Sequence, residues 1–342
     1  MKHYHFATLF DINYLSRGLV LYESLSSVLS QFTLYVLCLD EHTFDALAQK
    51  YTNVKCITLT AIEAFEPKLL DVKPSRNRAE YIFTLSPILP LYLLEEYKNI
   101  DIITTLDADI YFYCSPVPLL DKLGEYSILI TPHDFAKANE NKIKYGKYNV
   151  SFQCFKNDNY AHKCLNWWKN QCLDWCYDTP ETTRYADQKY LDEFSTRFEK
   201  VYAMPVIGAG LAPWNIEKYN LQVHSNKWNI APNLPLIYYH FHGFRILNRY
   251  TIRTFLEEYG VQKISKAHKL LYYQYYKCLR RYSKSDNISR YKDNFLLSNI
   301  IYSKDYLFII PIFGIFVPRQ FYYFWRLKKI ADGFINKFKN VY

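Results

Sequence analysis

Two carboxylates with one alanine between them, Asp107 and Asp109, follow the apolar run 102–106. Acids at i and i+2 on extended or turned backbone can reach into one pocket and share a divalent cation. Their hard oxygens suit Mg²⁺ or Mn²⁺, whose remaining coordination positions accept diphosphate oxygens. A cation held there neutralises a departing diphosphate, which is Lewis-acid catalysis. A second group, His240-Phe-His242-Gly243, comes directly after the apolar stretch 234–239. A neutral imidazole is a good third ligand for Mn²⁺, and the glycine lets backbone approach a phosphate. The third group is Asp11-Ile-Asn13-Tyr14, just after the first apolar run. Asp or Asn there can hydrogen-bond a base or ribose and Tyr can stack on a base, while the same residues also make an ordinary capped turn. Trp214, behind Gly208-Ala-Gly210, reads either as a stacking platform for a ligand or as a buried ring at a tight turn. His133-Asp134 reads as a pocket edge or a helix cap.

The elements that must carry these groups alternate through the first 130 residues. Apolar β-type runs at 5–10, 31–40, 54–60 and 99–113 are separated by helical periodicity at 15–29, 42–51 and 86–97. That alternation predicts an α/β chain with a mostly parallel sheet and helices on both faces. Ligands of such sheets bind at the C-terminal strand ends, where Asp11, Asp40, Asp107 and Asp109 fall. From 126 to 244 the pattern is mixed, with strands over 126–132 and 147–155 and an aromatic helix over 160–176. Beyond Arg245 the chain reads as helical, basic and tyrosine-rich. No 20–50-residue period repeats, which excludes solenoids and propellers.

The order DINY, Arg76 and Arg78 before a helix, LDADIYF, YNVSF, ADQKYLD and HFHG resembles the GT-A nucleotide-sugar glycosyltransferases. It is most similar to their family eight, that of glycogenin and bacterial lipopolysaccharide galactosyltransferases. The resemblance spans about residues 3–245. It implies a Rossmann-like GT-A domain over 1–245 that moves a sugar from a UDP-sugar to a hydroxyl of a glycan or lipid-linked acceptor. Retention of configuration and a role in bacterial surface polysaccharide or lipopolysaccharide synthesis are also implied. Asp107, Asp109 and His240 would then be ligands of Mn²⁺ or Mg²⁺. Thr8, Asp11, Tyr14, Arg78, Asp107, Ser151 and Gly243 would contact the donor. Asn149 and Ser151 would line the sugar pocket, while Asn149, Asp187 and Gln188 would stand at the reacting face. An inverting route would instead need a base such as Asp187 or Asp134. Two departures stand out. HFHGFRILN lacks the family's phosphate-contacting lysine, a place Arg245 could take, and NVSF lacks the family's strand glycine, which alters the sugar pocket.

The chain has 342 residues and a formal charge of +9, but from Arg245 onward it holds 19 Lys+Arg against 6 Asp+Glu. A slightly acidic body therefore carries a strongly basic region, 246–342, that suits an anionic partner. Residues 306–317 are twelve apolar residues in a row, short of the ~20 that span a bilayer. The segment that follows interleaves aromatics with Arg and Lys, the pattern of a helix lying in a membrane interface or packed on its own domain. The expectation is a cytoplasmic protein with peripheral contact to the inner face of the membrane through 300–342, no specific nucleic acid and an oligomeric state left open. Eight scattered Cys read as buried free thiols, Cys172 and Cys176 included. The rival classes are a nucleic-acid binder using the basic aromatic region, which leaves the acid and histidine motifs idle, and a metal-dependent phosphodiesterase, which wants a second ligand set.

Overall fold

The computed structural model describes residues 2–205, 208–225, 227–248, 251–282, 300–303 and 306–309. Its large sheet contains β1 (Tyr4–Phe10), β2 (Phe32–Cys38), β3 (Val54–Thr58) and β4 (Ile102–Leu106). After a short outlying strand, β5 (Ile110–Phe112), come β6 (Ile128–Pro132), β7 (Tyr148–Lys156) and β8 (Val201–Ala203). The seven strands run in the order β3-β2-β1-β4-β7-β6-β8. All neighbours are parallel except β7, which is antiparallel to both β4 and β6. Strand order reverses between β1 and β4, the place where an open α/β sheet leaves a crevice for ligand. β2 is almost wholly buried and β1 buries Phe6, Ala7, Thr8 and Phe10, as parallel strands covered on both faces require.

Helices flank this sheet. α1 (Leu15–Val28) follows β1, and α2 (Glu41–Leu47) follows β2 under an Asp40 cap. α3 (Leu59–Phe65), α4 (Lys68–Val72), α5 (Arg78–Leu85) and α6 (Ile88–Glu96) lead into β4. Later come α7 (Val117–Leu120), α8 (Asn159–Asp174) and α9 (Phe194–Arg197). One face of the sheet packs Tyr35, Ile103 and Phe155 against Leu85, Leu89 and Trp168. Cys164 and Cys172 sit in this same core, and burial pushes both thiols well up. The other face packs Phe6 and Phe10 against α1. There the Phe10 ring occupies the space a side chain at Gly18 would need, 2.2 Å from an added Cβ.

A third core lies beyond the sheet. β9 (Gln222–His224), β10 (Lys227–Ala231) and β11 (Leu234–Pro235) form a small sheet, and β12 (Tyr238–His240) pairs with β5. Past Arg245, α10 (Lys266–Tyr282) is the helix expected of that region, and the neighbouring stretches add strands. These are β13 (Arg245–Asn248), β14 (Thr251–Arg253), β15 (Ile300–Ser303) and β16 (Tyr306–Ile309), in the order β13-β14-β16-β15. Their branched and aromatic residues favour strands, whereas basic charge carries no preference for helix. α10 lies against α1 and buries Tyr272, Tyr275 and Tyr276, with Tyr275 stacked on Phe241 at 3.7 Å between ring centroids. Each such ring contributes roughly 1.5–3 kcal/mol, so α10 is anchored by its tyrosines. Most of the segment read as an interfacial helix, 310–342, lies outside the described residues. No helix of the described residues is long and apolar enough to cross a membrane.

Candidate active site

Asp107 ends the β4 ladder, its N–H donating to Ser151 O at 3.1 Å, and a tight turn returns Ile110 N–H to Asp107 O. The chain then enters β5, whose antiparallel partner β12 sets His240 opposite Ile110, while Phe241 N–H bonds Asp109 O at 2.9 Å. This ribbon is what brings together two motifs more than 130 residues apart. His240 Nε2 lies 3.0 Å from Asp109 Oδ1 and 3.6 Å from Asp107 Oδ2. One potential ligand atom from each of the three residues falls within 4.8 Å of the others. Two hard carboxylate oxygens and one imidazole nitrogen, converging in a cavity, fit a divalent ion such as Mn²⁺ or Mg²⁺. Among the described residues this is the one His/Cys/Asp/Glu group that could hold a metal ion.

The electrostatics divide the two acids. Burial raises Asp107, with His240 pulling against it and Asp109 adding to the rise. Burial acts upward on Asp109 too, but His240 beside it, helped by His242 and Arg17, holds that carboxyl low, at about 2. Burial alone would lower His240, and the two carboxylates override it and raise the imidazole. Asp109 and His240 thus stabilise one another's charged forms at the place where the three ligand atoms converge.

The cluster opens into a cavity of about 990 Å³ that also takes in Thr8, Asp11, Tyr14, Arg78, Asn149, Asp187 and Gln188. Thr8 Oγ1 is buried without a hydrogen-bond partner. Asp11 caps the following turn, accepting from Asn13 and Tyr14 N–H at 3.0 and 3.2 Å, and its other oxygen pairs with Arg78. Asp11 thus caps the turn and holds Arg78 with the same carboxylate. Tyr14 is 45% exposed, with the Arg17 guanidinium 4.4 Å from its ring. A capping box at Asn77 and Glu80 starts α5 and so aims Arg78 at Asp11. Arg245 is exposed, near enough to Tyr14 to act on its hydroxyl.

Asn149 Nδ2 meets His133 Nε2 at 3.1 Å and donates to Gln188 Oε1 at 3.2 Å, and Gln188 in turn donates to Tyr145 O. Burial lowers His133 to about 3, so its ring is neutral. Asp187 is buried, its backbone carbonyl accepting from Trp168 Nε1, and burial pushes its carboxyl up to about 7 with Asp107 adding to the rise. Ser151 and Gly243 lie behind the wall: Ser151 N–H bonds Asn149 Oδ1 and its carbonyl holds Asp107. Asp134 is turned away, paired with Lys218 and Tyr219. Trp214 is a largely buried ring that donates to His133 O and also lines the cavity. The sequence reasoning passed over Tyr145, Tyr185, Phe255 and Tyr259, which also line the cavity. Only the high density of aromatics in their loops hinted at them.

The fold is that of the GT-A glycosyltransferases, and its cavity carries an Asp-x-Asp and histidine cluster. The galactosyltransferase LgtC, solved in complex with donor and acceptor sugar analogues, superposes with a TM-score of 0.51 and 14% identity, over 83% of this chain and 98% of that one. No family model matches the chain. It belongs to the family of the uncharacterized protein YfnF of Bacillus subtilis strain 168, at 30% identity over 251 residues, 71% of this chain and 82% of YfnF. YfnD of the same organism is 27% identical over 251 residues, 72% of this chain and 80% of YfnD.

Proposed function

We propose that the chain is a metal-dependent glycosyltransferase that moves a sugar from a UDP-sugar to an acceptor hydroxyl on a glycan or lipid-linked glycan. The observation that carries this reading is the Asp107–Asp109–His240 cluster lining the cavity that also holds the Asp11–Tyr14 turn. Asp107, Asp109 and His240 would hold Mn²⁺ or Mg²⁺, which would supply Lewis-acid stabilisation of a departing diphosphate. The open face of Tyr14 stacks on the base, and Arg78, held by Asp11, faces the donor. Asn149 and Gln188, locked by their hydrogen bonds, orient the sugar. Asp187, poised near neutrality, is suited to exchange a proton with the acceptor hydroxyl or to hydrogen-bond the sugar. Retention of configuration follows the family resemblance, and the anomeric signal of the product by NMR checks it. A place in bacterial surface polysaccharide synthesis, on the cytoplasmic side of the membrane, completes the reading.

The test is thermal unfolding with UDP-, GDP-, CMP- and dTDP-sugars, each with and without Mn²⁺, on wild type and Asp109→Ala. A UDP-sugar is expected to stabilise wild type only with metal and to leave the variant unmoved. A folded wild type indifferent to every nucleotide would rule the transferase out. The phosphodiesterase alternative has less support, because the described residues hold one candidate metal group rather than two.

A further inference from the structure

We infer that His133 is a positioning residue: it fixes the hydrogen-bond polarity of Asn149 and Gln188, and so sets which groups those two amides can offer a sugar. The inference rests on the transferase reading above. It goes further in giving a role to a residue outside the metal cluster and outside the motifs that carry the family resemblance.

The amide of an asparagine or glutamine can be turned either way, so its polarity has to be imposed by groups that only donate or only accept. The Ser151 N–H can only donate, and it meets Asn149 Oδ1 at 2.8 Å. Asn149 Nδ2, with its two hydrogens, is therefore the end that faces His133 and Gln188. One hydrogen goes to Gln188 Oε1 at 3.2 Å. Beyond it the Tyr145 carbonyl can only accept, and it takes a hydrogen from Gln188 Nε2 at 3.0 Å. The other Asn149 hydrogen meets His133 Nε2 at 3.1 Å, so the imidazole accepts there and carries its own hydrogen on Nδ1. Burial, which lowers His133 to about 3, keeps Nε2 free of a proton. Both hydrogens of Asn149 are thus engaged, while Gln188 keeps one Nε2 hydrogen and one Oε1 lone pair. Asn149 and Gln188 line the cavity together with Asp187. Without an acceptor at position 133, the buried Asn149 amide would hold an unpaired N–H, and the cost of that would turn it away from this arrangement.

The turn that carries His133 holds it on every side. Its N–H donates to Lys147 O at 3.0 Å, and its carbonyl accepts from Trp214 Nε1 at 2.8 Å and Asn215 Nδ2 at 2.9 Å. The ring stacks on Phe135 at 4.6 Å between centroids and meets Trp214 edge-on at 5.0 Å. Asp134, the next residue, has φ +50°, a left-handed conformation that a non-glycine residue keeps only with support. Lys218 and Tyr219 supply it by binding the Asp134 carboxylate. Asp134 thus secures the bend that aims the His133 ring at Asn149. A phenylalanine would fill the same space between Phe135 and Trp214, but it has no acceptor.

The experiment uses the full chain with Mn²⁺. Calorimetry gives the Kd of UDP, and hydrolysis of UDP-glucose, UDP-galactose and UDP-N-acetylglucosamine gives kcat and KM. His133→Phe keeps a flat ring and removes the acceptor, whereas His133→Gln carries an acceptor oxygen about as far from the backbone as Nε2. On the sugar that wild type turns over fastest, His133→Phe is expected to lower kcat tenfold or more. His133→Gln should stay within threefold of wild type, and both variants should bind UDP within twofold of it. In an Asn149→Ala background His133→Phe should change kcat less than threefold, because its effect passes through Asn149. A smaller loss in His133→Phe, a larger one in His133→Gln, or an undiminished effect in the Asn149→Ala background overturns the inference alone. If His133→Phe does not fold, His133→Gln decides, and its own failure to fold would assign the ring to packing and overturn the inference too. A folded wild type that turns over none of the UDP-sugars overturns the transferase reading beneath it.

Discussion

At the scale of single residues the site sets titratable groups against one another, and burial decides most of them. Asp187 keeps its proton in the fold up to about 7, whereas the unfolded chain loses it near 3.8. The native state therefore binds the extra proton between those values, and this group's contribution to stability declines as pH rises across that window. His133 runs the other way: with its native value near 3 and an ordinary value of 6.5, its contribution is present above 6.5 and is lost as pH falls toward 3. Asp187→Asn should separate the two. In urea titrations of metal-free protein the variant should gain on wild type, by on the order of 2 kcal/mol, between pH 5 and pH 8. Parallel pH profiles for the two proteins would show that Asp187 ionises normally. Asp107, Asp109 and His240 could be named from residue type and spacing, and Asp187 from the family resemblance. The engagement of Asp134 by Lys218 and the withdrawal of Ser151 behind the wall could not, because both depend on which way a turn points its side chains.

At the scale of elements, the site is an assembly of strand ends and one ribbon. β5 and β12 carry Asp109 and His240 on facing strands, and Phe241, between the two histidines, is clamped by Tyr275 of α10. Helix α10 thus backs the candidate metal cluster through Tyr275 on Phe241. Tyr275→Ala removes a fully buried ring and should cost about 3 kcal/mol or more. It should also weaken the Mn²⁺-dependent donor stabilisation, because Phe241 loses the face that fixes its neighbours. A variant with lowered Tm but an unchanged donor response would show that the ribbon stands without α10. Periodicity foretold α1, β2, α8 and α10 closely, since each buries a regular apolar face. It read 99–113 as one strand, whereas the turn at Asp107 splits that stretch between two sheets: its acids break the ladder, and β5 turns out to meet β12.

At the scale of the whole molecule, charge is the property that local geometry does not absorb. Residues 310–342 carry six Lys+Arg and one Asp among many aromatics. We propose that this segment meets anionic membrane surface, each basic residue near such a surface adding about 1 kcal/mol at low salt. Because β16 pairs with β14 up to Phe308 and with β15 up to Ile309, a truncation after residue 309 keeps both ladders intact. The truncated protein should lose sedimentation with phosphatidylserine vesicles and keep its Mn²⁺-dependent UDP-sugar response. Vesicle binding that survives truncation would move the surface elsewhere on the molecule.

The sequence by itself determined the α/β class, the strand ends that carry Asp11, Asp107 and Asp109, and the pairing of an Asp-x-Asp motif with a distant histidine. These follow from local periodicity and from the chemistry of residue types, which act over a few positions. Only the tertiary structure decided that β12 lies beside β5 and that α10 stacks on Phe241. It alone set the Phe255–Tyr259 loop over the cavity holding Asp187. Those contacts join residues far apart in the chain, and their geometry comes from how buried rings and strand ladders pack, which no local pattern encodes.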